Sequence, residues 1–309
     1  MKPRAAVVGS CNADLTVYTA TVPVNGQTVS GEKLVIGPGG KGSNQATALS
    51  RAGADTAMIC RMGCDSLATV LEDHYAAEGI STDGVIRDPS RQTGSATIIV
   101  DTSTGDNRIV VVAGANGALC PEDVAKNSDK LLGCRVLLLQ LESPISASLT
   151  AAHIAAENGA TVILNPAPAR EIPSELIALC DYIIPNETEA QALTGISVST
   201  EAEAFAAGRA LRALGAKNAV ITLGRRGCAA VTESGEEFTV PAFSVKAVDT
   251  TAAGDQFCGA FAARLAFGAD LKSALTFATA ASAISVTRAG ASVSMATREE
   301  IEEFLSNNL

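Results

Sequence analysis

Apolar residues in this chain fall into short runs separated by polar turns, and the spacing of the runs changes along its length. Ala5 to Val8 is a continuous apolar run, the pattern of a strand buried on both faces, and it ends at Gly9-Ser10. Residues 15 to about 36 show no helical period. Pro23, Gly26 and Gly31 punctuate β-type pieces at Thr16-Val17-Tyr18 and Leu34-Val35-Ile36. Residues 94–112 behave alike: Ala96 to Val100 and Arg108 to Val112 read as a hairpin around Thr104-Gly105-Asp106-Asn107. These two inserts, approximately 14–36 and 94–113, are expected to pair as one small sheet that covers a site as a lid and excludes water.

From residue 115 the period alternates. A helix ending at Leu131-Leu132 precedes a strand at Arg135 to Gln140, a helix at Pro144 to Asn158 and a strand at Ala160 to Leu164. A helix at Ser174 to Leu179, a strand at Tyr182 to Ile184, a helix at Glu201 to Leu214 and a strand at Ala219 to Thr222 follow. This alternation predicts βαβ units and an α/β fold with a doubly wound, mostly parallel sheet. Three of the strands end in polar groups, at Gln140-Leu141-Glu142, Asn165-Pro166 and Pro185-Asn186-Glu187-Thr188-Glu189. All three fall on the carboxyl edge, where open α/β sheets bind ligands.

Composition narrows the partners. A net charge of −10 argues against nucleic acid or an anionic membrane surface. A bound polyphosphate must overcome the same field through local N–H groups, Lys and a divalent ion. Eight Cys at 11, 60, 64, 120, 134, 180, 228 and 258 form no Cys-x-x-Cys pair, and two His leave little material for a zinc site. The apolar run at 5–8 is too short for a signal peptide, and Arg264, Asp270 and Lys272 interrupt the Ala-rich stretch 257–286. A soluble, cytoplasmic protein is expected.

Candidate chemistry sits at five places. Asn12 and Asp14, two apart in extended chain, point to one side and suit hydroxyls of a polyol; an Asx-turn leaving the strand is the structural alternative. Gly37-Pro38-Gly39-Gly40-Lys41-Gly42-Ser43-Asn44 leads into a helix expected over Gln45 to Ala52. It matches G-x-G-x-x-G, but the next strand, Thr56 to Cys60, ends in Arg61 rather than the acid a ribose 2′-hydroxyl needs, leaving only a 2′-phosphate reading. A Walker A loop fails because Gly follows Lys41. What remains is a glycine turn presenting Lys41 and Asn44 to sugar hydroxyls. Asn186 and Glu189 have capping-box spacing, and could alternatively hold a hydrated Mg²⁺. Thr222 to Gly227 reads as a hairpin turn or as a contact for nucleotide phosphates. Finally, Ala252-Ala253-Gly254 precedes Asp255 and an apolar helix from Phe257 to about Phe267. Bare N–H groups at such a start attract an anion. Asp255 there either complements the helix dipole or takes a proton from a hydroxyl while the amides hold a transferring phosphoryl group.

Together, GSCNAD, GPGGKGSNQA, LQLESP, NPAPAR, PNETEA, ITLGRRG, VDTTAAGDQF and SVTRAGAS resemble the ribokinase (PfkB) carbohydrate kinase family almost end to end. The resemblance implies one Rossmann-like α/β domain over residues 1–309 with a β lid that often forms a homodimer contact. It implies transfer of phosphate from ATP to the 5-hydroxyl of D-ribose, with a sibling kinase for another sugar, a 2-keto-3-deoxy sugar acid or a nucleoside as alternative. By resemblance, Asn12, Asp14, Gly40, Lys41, Asn44 and Glu142 bind the sugar, and Asp255 is the base beside an anion hole of Ala252, Ala253 and Gly254. Asn186, Glu189, Thr222, Gly224, Gly227, Gly254 and Thr279 fall on the ATP side, with Glu189 holding Mg²⁺ through water. Asp249, Thr251, Ser285, Arg288, Gly290 and Ser294 match a K⁺ site, several through backbone carbonyls. Gln256, Thr279, Ser285 and Ala289 depart from the family pattern.

Overall fold

Residues 2–308 are described by the computed structural model. Its strands are β1 (Arg4–Val8), β2 (Asn12–Thr19), β3 (Lys33–Gly39), β4 (Asp55–Gly63), β5 (Ser81–Asp88), β6 (Gly94–Asp101), β7 (Asn107–Val112), β8 (Val136–Leu139), β9 (Thr161–Leu164), β10 (Tyr182–Ile183), β11 (Asn218–Thr222), β12 (Cys228–Val231) and β13 (Glu237–Val240). The helices are α1 (Lys41–Arg51), α2 (Ser66–Glu78), α3 (Pro121–Lys126), α4 (Ile145–Glu157), α5 (Ser174–Ala178), α6 (Glu187–Thr194), α7 (Glu201–Ala213), α8 (Ala253–Ala266), α9 (Leu271–Ser285) and α10 (Arg298–Asn308).

Nine strands form the central sheet in the order β13-β12-β11-β10-β9-β8-β1-β4-β5, parallel from β11 to β5 and antiparallel at the β11-β12-β13 edge. Helices cover both faces, so its inner strands read as unbroken apolar runs. In β1, Ala5 and Val7 enter one core with Leu49, Phe261 and Phe277, while Ala6 and Val8 enter the other with Leu137, Leu164 and Leu211. Chain order reverses between β1 and β8. That reversal opens a crevice beyond their carboxyl ends, the usual ligand position in open α/β sheets. Over it lies a separate four-stranded sheet, β3-β2-β6-β7, built from both inserts as expected. It starts two residues earlier than position 14, so Asn12 and Asp14 are strand residues and not an Asx-turn.

Several boundaries differ from the pattern-based reading. Helix α1 starts at Lys41, not Gln45: Gly40 enters it with φ 84°, and the Glu142 carboxylate accepts the Lys41 N–H at 2.9 Å. A remote acid thus compensates the poor helix formers Gly42, Ser43 and Asn44. Helix α8 likewise starts at Ala253, so Asp255 is inside its first turn. The helix expected to end at Leu131-Leu132 stops at Lys126; Asn127 caps it, and only a 3₁₀ turn at Ser128–Lys130 follows. Strand β4 runs past Cys60 to Gly63, which makes Arg61 an interior residue paired with Asp88 at 3.0 Å and Asp123 at 2.7 Å. With its guanidinium so occupied, the 2′-phosphate reading loses its cation. No described helix is long and apolar enough to cross a membrane.

Candidate active site

The site is assembled where α1 and α8 run against each other beneath the lid. Their approach is close because Gly259 has no Cβ: one placed there would fall 2.8 Å from both Gln45 O and Leu49 N. At that separation the first turn of α8 reaches the first turn of α1. Asp255, 5% exposed, accepts Asn44 Nδ2 on Oδ2 and Gln45 Nε2 on Oδ1, each at 3.0 Å. Ser292 Oγ donates to Asn44 Oδ1 at 2.6 Å and so turns the Asn44 amide nitrogen toward Asp255.

Ala252 opens α8 in the left-handed region, φ 58°, the one non-glycine to do so among the described residues. Such a conformation costs about 1–3 kcal/mol and marks a constrained site. Ala253 N–H bonds to Thr250 O and Gln256 N–H to Ala252 O, while the Gly254 and Asp255 N–H groups find no acceptor among the described residues. A Cβ on the exposed Gly254 would meet nothing within 4 Å, so its amide borders open space beside a buried carboxylate. That combination can hold an anion against the helix start and accept a proton next to it.

At the carboxyl end of β8, Glu142 caps α1, and its Oε2 also accepts Ser10 Oγ at 2.6 Å. Asn12 is buried, and its Oδ1 takes Asn116 Nδ2 at 2.7 Å, which leaves the Asn12 amide nitrogen as the donor. Asp14 lies over Gly39, where any Cβ would collide with its carboxylate. Burial, then Glu142 and Asp255, raise Asp14 to about 7. Lys41 is the local countercharge. Asp255 above all holds its ammonium on, with Glu142 and Glu189 adding and burial opposing. Asp255 itself is pushed up by burial and by Glu142, against Lys41, Asn44 and Gln45.

Beyond the crevice, Asn186 and Glu189 form the capping box of α6: Asn186 Oδ1 accepts Glu189 N–H at 2.8 Å and Glu189 Oε2 accepts Asn186 N–H at 2.9 Å. The structural alternative therefore holds, yet Glu189 also faces the site. Burial and Asp255 raise its pKa, while the bond from Asn186 and the charge of Lys41 lower it. Thr222 pairs with Asn186, and Gly224 and Gly227 begin and end the turn between β11 and β12, again the hairpin alternative. Thr279 is buried, with its hydroxyl donating to Leu275 O in its own helix. In the 249–251 and 285–294 segments, Asp249 bridges Thr251 N–H and Gly290 N–H, both at 2.9 Å. Arg288 pairs with Glu300 at 2.6 Å, and the Ser285 and Ser294 hydroxyls donate to Ser282 O and Ala291 O.

Residues 2–298 match the pfkB family of carbohydrate kinases. The chain belongs to that family. It is 40% identical over 307 residues to a ribokinase of Haemophilus influenzae, covering 99% of this chain and 100% of the relative. It is 37% identical to a deoxyribokinase of Salmonella typhi, covering 98% of this chain and 99% of the relative. Its fold is similar to that of an Arabidopsis thaliana ribokinase complexed with ribose and ATP, with a TM-score of 0.93, 32% identity and 99% of each chain covered.

For a carbohydrate kinase, the candidate site gathers more residues than local pattern could supply. Local pattern gives Ser10, Gln45, Asn116 and Ser292 no role, although Ser10, Gln45 and Ser292 lie within the recognisable motifs GSCNAD, GPGGKGSNQA and SVTRAGAS. Asn165, read only as a polar strand end, accepts Gln45 Nε2 at 3.1 Å. Gln256 points away: fully buried, its Oε1 accepts Ala296 N–H at 2.7 Å and ties α8 to the segment before α10.

Proposed function

We propose that this carbohydrate kinase phosphorylates O5 of D-ribose with ATP. The observation that carries the reading is Asp255: a buried carboxylate, gripped on both oxygens by α1, beside an open helix-start amide at Gly254. Asn12, Asp14, Gly40, Lys41, Asn44 and Glu142 bind the sugar, with carboxylates accepting from its hydroxyls. Asp255 orients the 5-hydroxyl and takes its proton as the oxygen attacks the γ-phosphorus in line, and the bond to the bridging oxygen breaks to release ADP. The amides of Ala252 and Gly254, with Lys41, stabilise the transferring group, while Ala253, whose N–H is held by Thr250 O, shapes the turn. Asn186, Thr222, Gly224 and Gly227 line the nucleotide side, and Thr279 backs it through packing.

Glu189 suits a hydrated Mg²⁺, since one oxygen is bonded to Asn186 N–H and the other accepts no hydrogen bond among the described residues. Such an ion supplies charge neutralisation on the phosphate oxygens. For K⁺, the Asp249 carboxylate, the Arg288 guanidinium and the Ser285 and Ser294 hydroxyls are already bonded. The ligands proposed there are therefore main-chain carbonyls along Asp249, Thr251, Ser285, Arg288, Gly290 and Ser294.

Residues 1–309 act as one catalytic unit in the cytoplasm, where eight free thiols stay reduced. The lid strands β3 and β7 expose Leu34 and Ile36 and Ile109 to Val112, an apolar surface suited to a second copy of the chain. Sedimentation at assay concentration should give a dimer that Val110→Lys dissociates.

A coupled ADP-release assay over pentoses, hexoses, sugar acids and nucleosides tests the reaction. Ribose should give the highest kcat/KM. The deoxyribokinase relative, nearly as similar as the ribokinase, makes 2-deoxyribose the comparison that matters, and a higher kcat/KM for it would overturn the assignment.

A further inference from the structure

We propose that Gln45 is a positioning residue for Asp255, held in its working orientation by a buried amide relay running through Asn165 and Gln140. The inference rests on the reading of Asp255 as the base. Gln45 is fully buried, and its carboxamide has three partners. Nε2 donates to Asp255 Oδ1 at 3.0 Å and to Asn165 Oδ1 at 3.1 Å, and Oε1 accepts Gln140 Nε2 at 2.8 Å.

An amide can be turned end for end, so its orientation must be decided by a partner that cannot be turned. The relay has one. Asn165 Nδ2 donates to the Ile184 main-chain carbonyl at 2.8 Å, and a carbonyl only accepts. The Asn165 nitrogen is therefore fixed toward the end of β10, its oxygen toward Gln45, and the Gln45 nitrogen toward Asp255. Gln140 closes the other side, and its place depends on Gly9, where any Cβ would collide with Gln140 Oε1. Three parallel strands thus set the sense of one hydrogen bond.

That bond matters because the terminal torsion of an Asp side chain is soft. Asn44 and Gln45 hold the two oxygens from one side, which fixes the carboxylate plane and leaves lone pairs for a substrate hydroxyl. Donation to both oxygens, with Lys41 of α1, favours the ionised form, against burial and the facing Glu142 after β8, Asp14 of β2, Glu189 of α6 and Cys258 of α8, which favour the protonated one.

The test is an NMR titration of protein labelled at the Asp carboxyl carbons, in the absence of sugar, with Asp255→Asn assigning the resonance. It is run beside the pH profile of kcat for the wild type, Gln45→Met and Gln140→Met. Met keeps the side-chain bulk and removes the N–H. In Gln45→Met, Asp255 should titrate higher by about one pH unit or more, and the acid limb of kcat should move up with it. The sugar KM should change by less than about threefold, since the lost bond is made to the base. Gln140→Met, which has no bond to Asp255, should shift both in the same direction by less. A role in folding alone would lower the melting temperature without moving the resonance. An unmoved Asp255 resonance in folded Gln45→Met overturns the proposal. Should that variant not fold, an unmoved resonance in Gln140→Met overturns it instead. The titration needs no substrate, so absent ribose turnover in the wild type would sink the kinase reading while the resonance still judges the relay.

Discussion

Gly259→Ala tests whether the approach of two helices is what builds this site. Residue 259 lies one turn beyond Asp255 on the side of α8 that faces α1. The added Cβ would stand 2.5 Å from Ala48 Cβ and 2.8 Å from Gln45 O and Leu49 N, where ordinary contact begins near 3.4 Å. Two of the three obstacles are backbone atoms, so rotamer change cannot relieve them. The helices must part by about 0.6–0.9 Å, and overpacking of this kind costs about 1–3 kcal/mol. For a chain of this size that lowers the melting temperature by about 2–6 °C. The catalytic effect should be larger. The bonds from Asn44 and Gln45 to Asp255, now 3.0 Å, would stretch to about 3.6 Å, beyond useful hydrogen-bond range. A base misplaced by this much should reduce kcat by about 10–100-fold. Since Asn44 moves with α1, the ribose KM should rise as well. Gly117→Ala is the control: its Cβ would meet Ala113 Cβ at 3.6 Å, an ordinary contact, and should change neither quantity. If Gly259→Ala melts within about 1 °C of wild type and keeps kcat within about twofold, this account of the helix contact is wrong.

Three further outcomes follow from the same geometry. Asp255→Asn should still bind ribose, by calorimetry, while kcat falls about 10²–10⁴-fold; near-normal turnover would remove the base role. Asp14, raised from 3.8 to about 7, holds its proton more tightly folded than unfolded, so it costs stability increasingly as pH rises from about 4 to 7. Asp14→Asn should therefore gain thermal stability relative to wild type between pH 5 and pH 8 without sugar, while losing ribose affinity by about tenfold or more. Melting curves at the two pH values check the first half, and a gap that does not widen with pH refutes it. K⁺ should stimulate activity over Na⁺ alone, and equal steady-state rates in potassium-free buffer would delete the cation site.

How much of this was legible in the sequence depends on how local each cause is. The runs at 5–8 and 136–139 announce buried strands because each residue there meets a core on one face or the other. The lid strands were legible from their turn residues. The starts of α1 and α8 were not, because neither is decided locally. Helix α1 begins where Glu142, a hundred residues away, accepts the Lys41 N–H, and α8 begins at a strained Ala252. Propensity sees only Gly, Ser and Asn in the first case and Gly in the second. The capping box at Asn186 and Glu189 was readable and correct, since both partners lie within one turn. Gln45 lies in the GPGGKGSNQA motif but has no such local partner to show what it does. Its meaning comes from Gln140, Asn165 and the Ile184 carbonyl, which the parallel sheet brings side by side only after folding.

The charge distribution explains why one acid among four is treated differently. Asp14, Glu142, Glu189 and Asp255 share a site with a single Lys41, in a chain already carrying −10. Carboxylates suit a neutral polyol, because every hydroxyl offers a donor. They repel a nucleotide triphosphate, and the acid nearest the transfer repels it most. As the proposed base, Asp255 cannot be moved away, since it must touch the attacking oxygen. It is instead the deepest of the four, at 5% exposure, and it is held by neutral amide donors that keep it a base without cancelling its charge. In the proposed reaction the phosphoryl group would meet the Gly254 amide and Lys41 rather than a free acid. The proposed roles thus divide sugar recognition from phosphate recognition, the first on acidic side chains of β2 and after β8, the second on bare peptide nitrogens of α8, with Asp255 alone at the border.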